Sequence, residues 1–263
     1  MPRPSKSNGS RPPWLWRTTT EGFGVVRRLL DWVGRHELSV LVAVLLVVIA
    51  VWGFIELADE VSEGDTLKFD EWAVRVLRRA DDLARPIGPR WLEEMGRDFT
   101  ALGGIGVLTL LTVAVAGFLW LKRMYGAMWL VLGSTSGGLI ASLTLKYFFD
   151  RPRPSLVPHL SHVYTSSFPS GHSMLSATVF LTLGALLARF VESRRLKAYF
   201  LIIALLLTGL VGVSRVYMGV HYPTDVVAGW AAGLAWATLC WLIARYLQQR
   251  GVVKPLLTKS ETG

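Results

Sequence analysis

The chain has 263 residues, of which 52% are hydrophobic and only 18% charged, with a mean hydropathy of +0.41. A soluble domain carries about 25% charged residues, so a water-soluble globule is excluded, as are collagenous and disordered classes. The net charge of +9 records orientation in a membrane protein rather than a nucleic-acid partner, and the single Cys240 excludes an intrachain disulfide framework and a multi-cysteine metal site.

In chain order, a basic tail over residues 1–37 comes first. Six apolar stretches follow, each able to cross a hydrocarbon core of ~30 Å: 38–56, 101–121, 126–148, 171–191, 198–217 and 223–246. The first exceeds the roughly 7–15 apolar residues of a signal peptide and lacks a small-residue cleavage site, so it is expected to remain as an anchor. The predicted fold is all-α: a polytopic membrane bundle of six transmembrane helices over 38–248, with a second tail over 249–263. Most Lys and Arg residues fall in the two tails and in the loops at Lys122 and Arg123 and at Arg189, Arg194, Arg195 and Lys197. The positive-inside rule then places both termini in the cytoplasm. The loop 57–100 falls outside, where acidic residues outnumber basic ones. Within it, Phe69, Trp72, Val76, Ala80 and Leu83 recur at steps of three and four, predicting an amphipathic helix over 69–83 at the outer interface. In the third stretch Gly133, Ser134, Gly137, Gly138, Ala141 and Ser142 predict close helix packing.

Charged side chains at mid-membrane cost about 2.5–3.5 kcal/mol, so polar residues at span ends need a purpose. Three groups occur. Lys146 closes the third stretch, ahead of Asp150, Arg151, Pro152, Arg153 and Pro154; Pro169, Ser170, Gly171 and His172 open the fourth; Ser214 and Arg215 close the fifth, with His221, Tyr222, Pro223, Thr224 and Asp225 opening the sixth. Alternating topology gathers all three at the outer face. Cations with two histidines and a carboxylate suit an anionic substrate and phosphoryl or proton transfer. Ser170, Gly171 and His172 begin a helix, where unpaired amides and the dipole favour phosphate oxygens, and Gly171 has no β-carbon in the way of an anion. Asp225, four residues after His221, can fold back to fix its tautomer and leave the other ring nitrogen free to attack. Taken singly these features are weak: a His-x-x-x-Asp spacing arises by chance, and basic residues at span ends snorkel to headgroups. Their convergence on one face is what indicates a site. His159 and His162 are expected to be solvated loop residues.

Lys146 with Arg153 and Pro154, then Pro169 through His172, then Ser214 and Arg215 with His221 and Asp225 resemble the tripartite motif of the type 2 phosphatidic acid phosphatase superfamily, in order and in spacing. The six-span arrangement is similar to its bacterial membrane branch. The resemblance implies a lipid phosphate phosphatase acting on phosphatidic acid, phosphatidylglycerol phosphate or an isoprenyl diphosphate at the outer face of the cell membrane, with no metal or other cofactor. It implies His221 as nucleophile, Asp225 as its orienting carboxylate and His172 as acid and then base. Lys146, Arg153, Arg215, Ser170 and the Gly171 amide would hold the phosphoryl oxygens. Arg151 is left as an additional cation with no contact to the substrate, and Tyr222 and Thr224 as local supports. Two rival readings share these residues: transfer of the phosphoryl group to a second lipid, and a non-catalytic binder or transporter, although neither broken helices nor repeated halves are evident.

Overall fold

The protein is described from a computed structural model over residues 38–155 and 166–251. Among these, eight helices follow one another: α1 (Leu38–Glu63), α2 (Leu67–Val76), α3 (Arg90–Leu102), α4 (Ile105–Leu121), α5 (Tyr125–Phe148), α6 (Gly171–Phe190), α7 (Arg194–Tyr217) and α8 (Pro223–Gln249). The only β feature among the described residues is an isolated bridge between Arg78 and Pro86. The backbone divides between Val42 and Ala43, inside α1, and the bundle belongs to the second of these units.

Helices α1, α5, α6, α7 and α8 are each long and apolar enough to cross a membrane, and the pair α3 and α4, bent by 49°, passes the same test of length and composition when taken together, as a broken span or a re-entrant loop. This amends the expected second span over 101–121. Residues 101 and 102 belong to α3, and the helix restarts at Ile105. The break falls at Gly103 and Gly104, whose amides close the end of α3 on Thr100 O (3.1 Å) and Ala101 O (3.0 Å). A β-carbon on Gly103 would lie 2.4 Å from Val211 Cγ1 and 3.3 Å from the His172 carbonyl, so the corner presses directly on α7 and on the start of α6. The expected helix over 69–83 is shorter as well, ending at Val76. Beyond it the chain doubles back, with Ile87 donating to Leu77 O at 3.0 Å and Arg79 to Arg85 O at 3.0 Å.

Helix α6 is the axis of the bundle, buried over most of its length and flanked by α5, α7 and α8. The small residues of α5 allow the expected close approach: a β-carbon on Gly138 would stand 2.9 Å from Thr178 Cγ2, and Ser134 bonds Thr182 at 2.9 Å. Closer still is the crossing of α8 over α6. A β-carbon on Gly229 would lie 2.6 Å from Ser170 O, and one on Gly233 would lie 2.5 Å from Met174 O. Hydroxyls of α6 satisfied inside the helix, such as Ser176 donating to Ser173 O at 3.1 Å, make this polar axis tolerable in lipid. Gly229→Ala is expected to push the two backbones apart, costing about 1–3 kcal/mol and lowering activity, because the two helix starts carry the two histidines. Melting in detergent with a turnover assay checks this, with Gly209→Ala as control, since nothing lies within 4 Å of a β-carbon there.

Helix α1 buries only Ala43, Ala50 and Ala58 and turns Leu45, Val48, Ile49 and Trp52 outward. It joins the bundle near the site through Phe54, whose ring centroid is 6.2 Å from that of Phe149 and 5.9 Å from that of Phe168.

Candidate active site

The start of α8 builds the first part of the site. Tyr222 is its N-cap and Pro223 occupies the first turn, where a missing N–H costs nothing. Asp225, at the third helical position, reaches back so that its Oδ2 accepts the Tyr222 amide at 2.9 Å, as in the acidic half of a capping box. That fold-back carries the carboxylate over the residue ahead of the cap: His221 Nδ1 lies 3.4 Å from the same Oδ2. Ser167 Oγ also donates to Oδ2 and lies 3.4 Å from Nδ1. On the far side of the ring Arg153 NH1 meets Nε2 at 3.1 Å. With Nδ1–H given to the carboxylate, the network assigns the lone pair to Nε2, where the guanidinium donates.

His221 is almost completely buried (1% exposed). Burial pushes its pKa down to about 3, helped by Arg215 and Arg153 and opposed by Asp225. The ring is therefore neutral across the physiological range, as a nucleophile must be. In the unfolded chain the same ring takes a proton near 6.5. Its folded form lacks that proton until the pH approaches 3, so between these values the unfolded state binds more protons and stability falls as pH falls. Melting midpoints are expected to drop between pH 7 and pH 5, and to drop less in His221→Asn; equal drops in both proteins would remove His221 from the account.

The cations arrive from three other elements. Lys146, near the end of α5, donates to Ser166 O at 2.7 Å. Arg153 also donates to Val220 O at 2.7 Å and, through NH2, to Ser166 O at 3.3 Å. Arg215, in the last turn of α7, is 2% exposed, and its Nε and NH1 find no hydrogen-bond acceptor among the described residues. Half-buried His172, the second residue of α6, feels the charges of Arg215, Lys146 and Arg153. The starts of α6 and α8 are tied directly, since Ser170 donates its amide to the Asp225 carbonyl at 2.9 Å. The structure thus brings together Lys146, Arg153, His172, Arg215, His221 and Asp225, drawn from segments far apart in the chain.

Ser170 and Gly171 each have a structural part as well. Ser170 Oγ is the N-cap of α6, accepting from the Ser173 amide at 3.4 Å and from Ser173 Oγ at 2.9 Å. Its hydroxyl oxygen is thereby engaged within the helix, and the Gly171 and His172 amides are the first-turn donors without an intrahelical acceptor. At Gly171 a β-carbon would meet Lys146 Cε at 3.3 Å and Ser142 Oγ at 3.4 Å, so the glycine makes room for the lysine stem. His159 and His162 lie outside the described residues.

Three polar residues escape the motif reading. Ser166 stitches the loop together, its Oγ donating to Phe149 O at 2.7 Å, and Ser167 serves Asp225 as above. The third is Asp70 of α2, which is fully buried and whose Oδ2 lies 2.7 Å from Arg151 NH2. Arg151 itself spans from Asp70 to Asp225 Oδ1, 2.6 Å from its NH1. A surplus cation among buried residues does imply a carboxylate partner, but nothing in the spacing says which one.

Residues 126–249 match the PAP2 superfamily. Phosphatidylglycerophosphatase B of Bacillus subtilis is 35% identical over 148 residues, 55% of this chain and 71% of that protein. The undecaprenyl-diphosphatase of Sulfolobus acidocaldarius is 35% identical over 104 residues, 40% of this chain and 44% of that protein. Among solved structures, a transmembrane PAP2-type phosphatidylglycerolphosphate phosphatase from Bacillus subtilis superposes with a TM-score of 0.67 at 29% identity, covering 76% of this chain and 96% of that one. A helical membrane bundle, a cluster of buried and half-buried cations and histidines at one end of it, and likeness in both sequence and backbone lead to one conclusion: the chain belongs to the PAP2 superfamily and is a phosphoric ester hydrolase of that kind.

Proposed function

We propose that the protein removes a phosphate group from a membrane lipid, a phosphomonoester or a diphosphate, through a phosphohistidine on His221 and without a metal. The observation that carries this reading is the ring of His221 held between Asp225 on Nδ1 and Arg153 on Nε2. The carboxylate fixes the tautomer, and the nitrogen with the lone pair faces the cations that would bind phosphate.

In the first step Arg153 exchanges Nε2 for a phosphoryl oxygen, and Lys146 and Arg215 take the others. Nε2 attacks phosphorus, the bond from phosphorus to the lipid oxygen (or to the bridging oxygen of a diphosphate) breaks, and His172 gives its proton to that oxygen. In the second step a water loses a proton to His172 and attacks phosphorus. The P–N bond breaks and its electron pair returns to Nε2. Asp225 balances the imidazolium while the phosphoryl group is attached. Phosphoryl transfer rests mainly on positioning and charge neutralisation, and three fixed cations supply the neutralisation that a metal supplies elsewhere.

The relatives are named for phosphatidylglycerol phosphate and undecaprenyl diphosphate, which supports phosphatidic acid, phosphatidylglycerol phosphate and isoprenyl diphosphates as the substrate class. Positive-inside bookkeeping puts both termini in the cytoplasm and the site at the outer face, level with headgroups whose chains stay in the bilayer. Ser170 and the Gly171 amide are proposed to complete the phosphate cradle, the serine by capping and aiming the first turn of α6. Phosphate release from purified phosphatidic acid, phosphatidylglycerol phosphate and undecaprenyl diphosphate in detergent with excess EDTA is the test. Release from at least one of them at an undiminished rate is expected. Loss restored specifically by Mg²⁺ would overturn the metal-free scheme, and phosphate recovered on a second lipid would replace hydrolysis with transfer.

A further inference from the structure

We propose that Asp70 of α2 is a positioning residue for this phosphoryl transfer: it holds Arg151 and Thr224 so that Arg151 engages one oxygen of Asp225 and leaves the other to orient His221. The inference rests on the reading of His221 as nucleophile. Its physical content is a division of one carboxylate. Asp225 Oδ1 is 2.6 Å from Arg151 NH1, whereas Oδ2 serves the Tyr222 amide at 2.9 Å and faces His221 Nδ1 at 3.4 Å. A guanidinium facing a carboxylate favours the two-pronged geometry that takes both oxygens. Here its second prong, NH2, is drawn instead to Asp70 Oδ2 at 2.7 Å. Asp70 is itself fixed from two directions by one residue, since the Thr224 amide donates to Oδ1 at 3.2 Å and the Thr224 hydroxyl to Oδ2 at 2.6 Å. The Tyr222 ring lies 4.6 Å from the Arg151 guanidinium carbon, adding a cation–π contact that holds its plane.

Charge balance points the same way. Arg151 is one positive charge shared by two buried carboxylates, so the group retains one negative charge to offset the imidazolium that forms at His221. Without Asp70, Arg151 and Asp225 would neutralise each other. Buried ion pairs are weak evidence for stability, since desolvation consumes the Coulombic gain. What the arrangement supplies is a defined geometry. The outward face of α2 exposes Phe69 and Trp72, their ring centroids 6.0 Å apart, so the helix sets its aromatics outward and its one fully buried carboxylate inward.

The test uses the full-length protein in detergent, with dioctanoyl phosphatidic acid as substrate and inorganic phosphate as inhibitor. Asp70→Asn preserves volume and is expected to lower kcat on the order of 10-fold to 100-fold, the scale of a small misplacement of a reacting group. KM and the phosphate inhibition constant should stay within about twofold, since none of the phosphate-binding cations is touched by Asp70, and Asp70→Glu should recover part of the rate. On an Arg151→Gln background the same substitution should cost less than about twofold, because the effect travels through Arg151. If Asp70→Asn proves poorly folded, Thr224→Val removes one hydrogen bond to Asp70 and the one that Thr224 Oγ1 accepts from Arg151 NH1 at 2.8 Å, loosening the same group, and is expected to show a smaller loss in kcat alone. A kcat for Asp70→Asn within about twofold of the parent, a full loss on the Arg151→Gln background, or a matching rise in the phosphate inhibition constant would each overturn the proposal. Turnover retained by His221→Ala would instead overturn the reading on which it rests.

Discussion

Replacing His221 with alanine is expected to lower turnover by roughly four to six orders of magnitude, the scale seen when a nucleophile is removed from a site whose parts act as a unit. The lipid phosphate should still bind. Lys146, Arg153 and Arg215 do not depend on the ring for their charge, and Arg153 keeps Val220 O at 2.7 Å when Nε2 is gone. The loss therefore falls on kcat rather than on affinity. Protein incubated with substrate ³²P-labelled in its phosphoryl group and quenched in alkaline denaturant, where a P–N bond survives, should carry label in the parent and none in the variant. Because the ring is fully enclosed, alanine leaves a cavity, so His221→Asn serves as a companion variant of closer volume. Turnover within about tenfold of the parent in either variant would remove His221 as the attacking group.

The second large effect has opposite signs in two measurements. Arg215 is a buried cation whose Nε and NH1 donate to nothing among the described residues. Each buried donor without an acceptor costs about 1–3 kcal/mol, more where it carries charge. Phosphate oxygens would satisfy those donors at the point where negative charge gathers in the transition state. Arg215→Met, similar in length and without charge, is expected to lower kcat on the order of 10²–10³-fold, the loss typical when one such donor is withdrawn. In the absence of substrate the same variant should melt higher, by roughly 2–4 °C per kcal/mol recovered for a chain of this size. The stabilisation that inorganic phosphate gives the parent should shrink. A variant that is slow and also melts lower would show that Arg215 holds the fold together rather than being held by it at a cost.

The motif residues are legible in the sequence because each group is local to a helix end. Ser170 stands where α6 must begin, Pro223 fixes the first turn of α8, and Asp225 falls at the position from which a carboxylate reaches back over the cap. The span positions are legible for a related reason: an apolar run of that length has no other solution in lipid. What is hidden depends on partners remote in the chain. The break at Gly103 and Gly104 sits inside an apolar run, and the contacts that impose it come from His172 and Val211. Asp70 is 81 residues from Arg151 and 154 from Thr224. The aromatic periodicity around it describes the exposed side of α2 and says nothing of the buried one. Ser166 and Ser167 carry no charge and no periodic signal, although both hold the site together. The same distance hides the role of Arg151, which spacing leaves without a counterpart.

The main chains of α6 and α8 touch at Gly229 and Gly233, and a peptide hydrogen bond joins Ser170 to Asp225. The separation of the two histidines is therefore set by backbone against backbone, a gauge that side-chain substitutions elsewhere do not reset. Residues that meet the rest of a lipid can drift freely around such a frame. A lineage built this way is able to change its customer without retooling its chemistry, whereas a single methyl group added at the crossing would disturb every substrate alike.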